Sequence, residues 1–432
     1  MRLLNRSLLF VVLLALLAVS AAGCAAPQQA GGPKVVKVLA MQQAGPTPEE
    51  MNAIVAKFNE SSPEVKVEIE YVSYDALHDK IVTAMATNPP SYDVVLVDDI
   101  WYAEFVNNGY LWDVTDKIDQ NTKQEIFSTA WDITSVNGRI YGMPWLLDQK
   151  YFYYNTELLE KAGVDAPQTW EDLIEASRKI KEAGLVEYPI VWSWAQAEAA
   201  ICDFVALLYG NGGSFVDENG NPAFNNEKGV QVVEWMLKTV DEGLSNPASI
   251  SYVEEDVRNV FSQGKAAFAL NWLYMYDLAA LDPNESQVVG KVGIGLLPAF
   301  KGSGVPSATI NGSMGFSVID KSPNREAAWE YVKFLTSEPI QKEYSAHLLP
   351  VWSGNYEGQA LEELKSLNES NPVTVPAFSA QIVYAHVRPK VPFYPEFSKA
   401  LQLALQEALT KQKSPAQALS DAAAKWNDLA PK

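Results

Sequence analysis

Cysteine and histidine are scarce in this chain of 432 residues, which contains two Cys and three His. Cys24 follows an apolar N-terminal stretch, so Cys202 is left as the only cysteine in the body of the chain and an intrachain disulfide is excluded. A chain of about 400 residues buries enough surface to be stable without one. We expect Cys202 to be a small buried hydrophobe. We expect no metal site and no cofactor.

Basic residues are fewer than acidic residues in this chain. The chain has 33 Lys and Arg against 53 Asp and Glu, a formal net charge of −20. Nucleic acids and anionic lipid headgroups are themselves negative, so this balance argues against both as partners. It otherwise bears on solubility and carries no information about the fold.

Long apolar runs are also missing, except for the stretch 8–19 near the N-terminus. That stretch is shorter than the roughly 20 residues of a membrane-spanning helix. With Arg2 and Arg6 before it and small residues after it, it predicts a secretory signal peptide over residues 1–23. Residues 24–33 have the small, uncharged composition of a flexible tether.

The sequence Ala21-Ala22-Gly23-Cys24 resembles the bacterial lipobox, in which the Cys is lipidated and becomes the mature N-terminus. Ala21 departs from that pattern, which prefers Leu, Val or Ile, so plain secretion is the alternative. The resemblance implies an extracytoplasmic protein held to the cell membrane by a lipid on Cys24.

The first part of the chain after residue 33 alternates strands and helices. Apolar or alternating strands are predicted at 34–41, 65–72 and 93–97, with helices between them, the first opened by a capping box at Thr47. This order predicts an α/β lobe in which ligands bind beyond the carboxyl ends of the strands. Polar side chains follow two of those ends: Gln42, Gln43, Asp98 and Asp99.

The segment 141–155, YGMPWLLDQKYFYYN, combines Gly, Pro, an acid among apolar residues and an aromatic strand. We interpret it as the first crossing between two lobes, with Asp148 facing the cleft, because a carboxylate there is costly to bury unless something hydrogen-bonds it. The alternative is a loop-to-strand junction with a solvated Asp148. Further Gly/Pro-rich crossings are expected at 300–312 and 348–354.

Five segments together resemble the bacterial extracellular solute-binding proteins of family 1, the maltose- and trehalose-type proteins that supply ABC importers. The resemblance implies two α/β lobes of the type II periplasmic-binding-protein fold, joined by several hinge crossings and closing on a ligand. The segments span the chain from residue 93 to residue 405 in family order: 93–115, the first crossing with PQTWEDL, 264–276, 315–345 and 388–405.

The resemblance also implies lobe boundaries and partners. Lobe 1 would comprise 34–143 and 304–352, and lobe 2 would comprise 144–303 and 353–432. The partners would be a small sugar and the membrane subunits of an ABC importer, and the protein would be a monomer attached to the membrane only by its lipid. It would not be an enzyme.

Sugars present C–H faces to flat aromatic rings and hydroxyls to carboxylates and amides, so acids and aromatics should occur on both lobes. The family positions carry over as candidate ligand-binding residues. They are Gln42, Gln43, Asp98, Asp148, Trp194, Gln196, Glu198, Trp272, Tyr274, Asn311 and Tyr394.

Two other functions compete with sugar capture. The same fold could bind a polyamine, since a cation suits a site rich in acids. A secreted glycoside hydrolase would also place paired carboxylates and aromatics in a cleft, although no segment resembles a hydrolase signature. A phosphate-bearing solute is disfavoured because none of the candidate site residues is basic.

Overall fold

A computed structural model of the chain describes residues 32–345, 347–367 and 380–431. The predicted signal peptide and the lipidated Cys24 therefore lie outside the described residues. Among the described helices, none is long and apolar enough to cross a membrane.

The first sheet contains the strands that the sequence predicts at the start of the chain. Lys34–Met41 pairs in parallel with Val65–Val72 on one side and with Val94–Asp98 on the other. The strand Met314–Val318 then adds antiparallel to Val94–Asp98, and Met143–Leu146 completes the sheet. The sheet is mixed rather than wholly parallel because its last two strands come from distant crossings of the chain.

The second sheet has four short strands in the spatial order Val292–Gly295, Tyr151–Asn155, Phe268–Asn271 and Ile190–Val191. Tyr151–Asn155 is antiparallel to both of its neighbours. The sequence of 188–198 indicates a strand that runs into a loop, and only two of its residues pair, because a helix begins soon afterwards at Glu198. Thr309–Ile310 with Ala385–His386, and Ser135–Val136 with Arg139–Ile140, form two smaller sheets.

Helices cover the sheets and begin where the sequence signals predict. Thr47 and Thr169 both form capping boxes, with Glu50 and Asp172 respectively. The α-helices are Pro48–Ser61, Tyr74–Met85, Tyr102–Asn107, Gln120–Glu125, Ser128–Thr134, Thr156–Ala162, Trp170–Glu182, Glu198–Gly210, Glu227–Asp241, Glu254–Ser262, Tyr274–Tyr276, Arg325–Leu335, Glu338–Glu343, Gly358–Leu367, Tyr394–Leu409 and Pro415–Leu429.

Irregular turns and paired crossings connect the two sheets. Within the described ranges, the regular structure is completed by a π-helical turn at Asp277–Leu281 and by 3₁₀ turns at Asp99–Trp101, Thr115–Lys117, Pro247–Ser251 and Ser353–Tyr356. Two of the predicted crossings lie side by side, because Gln149 bridges Asn311 in antiparallel fashion. This pairing brings Asp148 next to Gly312, whose backbone N–H donates to the carbonyl of Asp148 at 2.9 Å.

Candidate functional site

A cavity of about 170 Å³ lies where the carboxyl ends of first-sheet strands meet segments that follow second-sheet strands. Met41 and Asp98, the last residues of two neighbouring first-sheet strands, lie on its wall. Trp272 and Tyr274 follow a second-sheet strand and line the same space. The described residues that line it are Met41, Gln43, Ala44, Ser73, Tyr74, Asp75, Asp98, Leu146, Asp148, Ala197, Glu198, Ala199, Cys202, Val253, Glu254, Glu255, Trp272, Tyr274, Gly312, Met314 and Arg388.

Arg388 holds three carboxylates together in the cavity wall. Its Nη1 lies 2.9 Å from Oε1 of Glu198, and its Nη2 lies 3.2 Å from Oδ1 of Asp98 and 3.4 Å from Oδ1 of Asp99. Nη2 also donates to the backbone carbonyl of Asn311. The guanidinium is 1% exposed, so this ion cluster is almost fully desolvated and depends on these contacts.

Asp99 belongs to the same ion cluster but is not among the described residues that line the cavity. Burial raises the pKa of Asp99 to about 8, and the charge of Asp98 adds to this while Arg388 opposes it. The side-chain amide of Asn311 donates to Asp99 Oδ2 at 2.9 Å. Three carboxyl groups share the single positive charge of Arg388. Because its pKa is raised, Asp99 keeps a proton near neutral pH, and the guanidinium then has less negative charge to balance.

Asp148 lies at the first crossing and faces the cavity, as the sequence analysis expects for a cleft residue. Its Oδ1 accepts hydrogen bonds from the backbone N–H of Gln149 at 2.9 Å and of Leu273 at 3.3 Å. Burial raises the pKa of Asp148 to about 8, although these two hydrogen bonds lower it. The carboxyl is held by one backbone donor from its own crossing and one from the segment that follows the strand Phe268–Asn271.

Trp272 and Glu254 form one unit on the opposite wall. The indole Nε1–H donates to Glu254 Oε1 at 3.1 Å, and the hydroxyl of Tyr153 donates to the backbone carbonyl of Trp272 at 2.8 Å. The indole is only partly buried, so one part of its surface faces the cavity. Tyr74 also lines the cavity and donates to Asp98 Oδ2 at 2.7 Å.

The structure brings together six of the eleven residues predicted for the site. They line the cavity from both sides and are Gln43, Asp98, Asp148, Glu198, Trp272 and Tyr274.

The other five predicted residues are not among the described residues that line the cavity. Gln42 and Gln196 are exposed, and Trp194 is fully buried, stacked on Trp192 at a ring-centroid distance of 4.9 Å. Tyr394 and Asn311 lie one layer behind the wall. The Tyr394 hydroxyl donates to Glu198 Oε1 at 2.7 Å, and Asn311 binds Asp99, so both support acids of the cluster.

Sequence reasoning missed the basic residue of the site. Arg388 belongs to the segment 388–405 that carries the resemblance, but no basic residue of that segment is among the predicted site residues. The cavity wall includes its guanidinium, so a lack of basic residues is no argument against a phosphate-bearing solute. This guanidinium is already paired with three carboxylates. Glu254 and Glu255 were also missed, because their place at the start of a helix beside the aromatic pair is visible only after folding.

Comparison with known proteins gives a consistent assignment. Residues 44–342 match the family described as bacterial extracellular solute-binding protein. A probable ABC transporter-binding protein of Deinococcus radiodurans is 30% identical over 343 residues, covering 76% of this chain and 77% of that relative. An arabinooligosaccharide-binding protein of Bacillus subtilis is 25% identical over 439 residues, covering 96% and 97% of the two chains.

Solved structures agree with this assignment. Maltose-bound MalE3 of T. maritima is 31% identical to this chain, with a TM-score of 0.83, and the match covers 92% of this chain and 100% of that one. The GacH receptor of Streptomyces glaucescens, with 22% identity and a TM-score of 0.80, supports the fold.

Proposed function

Because the chain belongs to the bacterial extracellular solute-binding protein family, we propose that it captures a sugar, most simply an oligosaccharide, and delivers it to an ABC importer. The family consists of extracytoplasmic binding proteins, and the chain is accordingly a binding protein rather than an enzyme. The hydrolase alternative has no further support.

The observation that carries the sugar assignment is the composition of one cavity. Asp98 and Asp148 approach from the ends of first-sheet strands and from the crossing, while Trp272 and Tyr274 approach from the second sheet. Carboxylates accept hydrogen bonds from hydroxyls, and indole and phenol rings cover the apolar faces of sugar rings. The relatives named for arabinooligosaccharide and maltose binding support the same class of ligand.

A polyamine remains the competing ligand, since the wall carries several acids. One contact argues against it: the ammonium of Lys150 already lies 5.4 Å from the centroid of the Trp272 ring. A cation on the other face of the ring would compete for the same π-electrons and would be repelled by Lys150. The acids of the Arg388 cluster are also partly neutralised within the protein.

The proposed lobes follow the two sheets. We propose that lobe 1 comprises 34–146 and 304–352 and that lobe 2 comprises 147–303 and 353–432, which moves the boundary that the sequence places after residue 143. The strand Met143–Leu146 pairs within the first sheet, and on that ground we propose Leu147 as the point where the chain leaves lobe 1. A ligand that touches both lobes binds the closed arrangement better and shifts the population toward it. The closed form would then be the one that the importer recognises.

Calorimetric titration with maltose, arabinotriose and spermidine tests this proposal. We expect a sugar to bind with micromolar affinity, about 8 kcal/mol, and we expect Trp272→Ala to weaken that binding. Trp112→Ala is the matched control, because Trp112 is a partly buried tryptophan that contacts Lys117 and Arg325 and does not line the cavity. Binding of spermidine alone, or equal effects of the two variants, would contradict the assignment.

A further inference from the structure

A fully buried lysine lies directly behind the aromatic surface of the proposed sugar site. Lys150 is 0% exposed, and its Nζ lies 2.6 Å from Oδ1 of Asp203, 2.9 Å from Oγ of Ser193 and 3.7 Å from Oε1 of Glu254. The same ammonium lies 5.4 Å from the centroid of the Trp272 ring. Lys150 does not line the cavity, so its contacts with the indole come from the protein side.

Glu254 links the lysine to the ring. Its Oε1 accepts the indole N–H of Trp272 at 3.1 Å and attracts the ammonium of Lys150. The side chain of Asn271 adds a second link, because its Nδ2 donates to the backbone carbonyl of Glu254 and its Oδ1 accepts from the backbone N–H of Trp272. The Glu254 carboxylate therefore holds the indole nitrogen and lies beside the ammonium of Lys150.

Gly312 restricts the position of the Trp272 indole from another direction. A Cβ atom at Gly312 would lie 2.4 Å from Cζ3 and 2.6 Å from Cη2 of Trp272, far inside van der Waals contact. The edge of the six-membered ring thus rests against bare backbone. A side chain of any size at residue 312 would displace the ring.

Lys150 and Gly312 both belong to the paired crossings between the two sheets. The carbonyl of Lys150 accepts a hydrogen bond from Thr309 Oγ1 at 2.6 Å, and the N–H of Gly312 donates to the carbonyl of Asp148. The ring that would cover the sugar is consequently held by the same segments that connect the sheets, rather than by the second sheet alone.

We propose that Lys150 is a positioning residue for sugar recognition: together with Glu254 and Gly312 it fixes the plane of Trp272 in the ligand-free protein. This inference rests on the proposed function for its consequence, tighter sugar binding, but the fixed ring is a property of the unliganded protein. Preorganisation of this kind improves affinity because the ring loses little freedom when the ligand arrives.

The test removes the ammonium without leaving an unpaired buried charge. Lys150→Met would leave Asp203 alone in a dry site, and Asp203→Asn would leave Lys150 without its nearest counter-charge, so the double variant Lys150→Met with Asp203→Asn is compared with the wild-type protein. Protein labelled with 5-fluorotryptophan gives a ¹⁹F resonance for Trp272, which is assigned by its loss in Trp272→Phe. Lys161→Met is the matched control, since Lys161 is an exposed lysine that pairs with Glu157.

In the folded double variant we expect the Trp272 resonance to shift and broaden without ligand, and we expect maltose to bind about tenfold more weakly, equivalent to about 1.4 kcal/mol. A folded double variant with an unchanged Trp272 resonance overturns the proposal, because a purely structural lysine would lower thermal stability and leave the ring in place. Lys161→Met should change neither readout.

Two further variants decide the matter if the double variant does not fold. Glu254→Gln keeps an acceptor for the indole but loses its attraction for Lys150, and Gly312→Ala pushes on the ring edge. Both should alter the Trp272 resonance. An unchanged resonance in Glu254→Gln overturns the proposal, because Gly312→Ala would push the ring with or without Lys150. If the wild-type protein binds no sugar, the proposed function fails, while the resonance of the ligand-free protein still decides the role of Lys150.

Discussion

The Nη1 atom of Arg388 lies 2.9 Å from Oε1 of Glu198, and both side chains are almost completely buried. Glu198 opens a helix that follows the second sheet, whereas the other carboxylates of the cluster, Asp98 and Asp99, end a strand of the first sheet or follow it directly. One guanidinium thus connects the walls of the cavity.

Removing that guanidinium should be costly. Arg388→Met would leave Glu198 and Asp98 buried without a counter-charge, and loss of one partner of a buried ion pair typically costs about 3–5 kcal/mol. Urea denaturation measures the change in the free energy of unfolding. Arg178→Met is the control, because Arg178 forms an exposed pair with Glu242 and such pairs contribute about 1 kcal/mol or less. Similar losses in the two variants would show that the Arg388 cluster is not a structural support.

Asp148 should lower the free energy of unfolding at high pH, although we expect the same side chain to contribute to ligand binding. Burial raises its pKa to about 8, so between about pH 4 and pH 8 the folded state holds a proton that the unfolded chain releases, and stability falls as pH rises. We expect Asp148→Asn to be more stable than wild type at about pH 8, by about 1 kcal/mol or more. The same variant should bind maltose more weakly at about pH 9, where the wild-type carboxyl is ionised, because a carboxylate accepts hydrogen bonds more strongly than an amide does.

Thermal unfolding from about pH 5 to pH 9 and calorimetry on the same samples measure both effects of Asp148→Asn. Ser313→Ala serves as the comparison, since the Ser313 hydroxyl accepts from the backbone N–H of Asp148 and carries no charge. A variant at residue 148 that loses stability at about pH 8 would contradict the assigned pKa direction.

His347 connects two parts of the chain that belong to different proposed lobes. Its Nε2 lies 3.0 Å from Oε1 of Glu50, in the helix next to the first sheet, and its Nδ1 lies 2.7 Å from Oδ2 of Asp277, just after the aromatic segment. Burial lowers the pKa of His347, but the hydrogen bond to Asp277 and the charges of Asp277 and Glu50 outweigh it, and the net direction is upward. Burial also raises the pKa of Asp277. We assign the shared proton to His347, because both of its ring nitrogens face carboxylates.

A raised histidine pKa stabilises the folded state below the unfolded value of about 6.5, and this contribution is lost as pH rises through the folded pKa. Because the bridge joins parts of the two proposed lobes, we propose that the protonated histidine also favours the closed arrangement to which the ligand binds. On that ground we expect tighter maltose binding near about pH 6 than near about pH 8, and we expect His347→Gln to lose this part of the dependence. Calorimetry at several pH values measures it. His78→Gln is the control, because the partners of His78, Glu104 and Asp79, lie on helices beside the first sheet. Parallel pH profiles for wild type and His347→Gln would contradict a bridge between lobes.

The lipid anchor is a prediction from residues outside the described part of the chain. If Cys24 is lipidated, the protein expressed in a bacterial host should sediment with membranes, and Cys24→Ser should be released into the soluble fraction. Intact-mass measurement of the membrane-bound form checks for the added acyl chains. Equal distribution of the two forms would favour plain secretion.

The sequence predicts much of the fold because its signals are local. Capping boxes at Thr47 and Thr169 specify helix starts from four neighbouring residues, and the apolar run at 93–97 specifies a buried strand. The strand that runs into a loop within 188–198 is present, but it is only two residues long, Ile190–Val191. Apolar residues such as Trp192 and Trp194 are equally compatible with an irregular buried segment, and periodicity cannot distinguish the two over so short a stretch.

For the site, the sequence determined which residue types face the cavity: acids at strand ends such as Asp98, an acid at the crossing, and an aromatic pair after a strand. Only the tertiary structure decided which of them share one wall, because Arg388 meets Asp98 and Glu198 across 290 and 190 residues of chain. The role of Lys150 could not be predicted from the sequence either. Its role depends on Glu254 and Gly312, and no spacing along a chain encodes contacts that exist only after the two sheets have packed together.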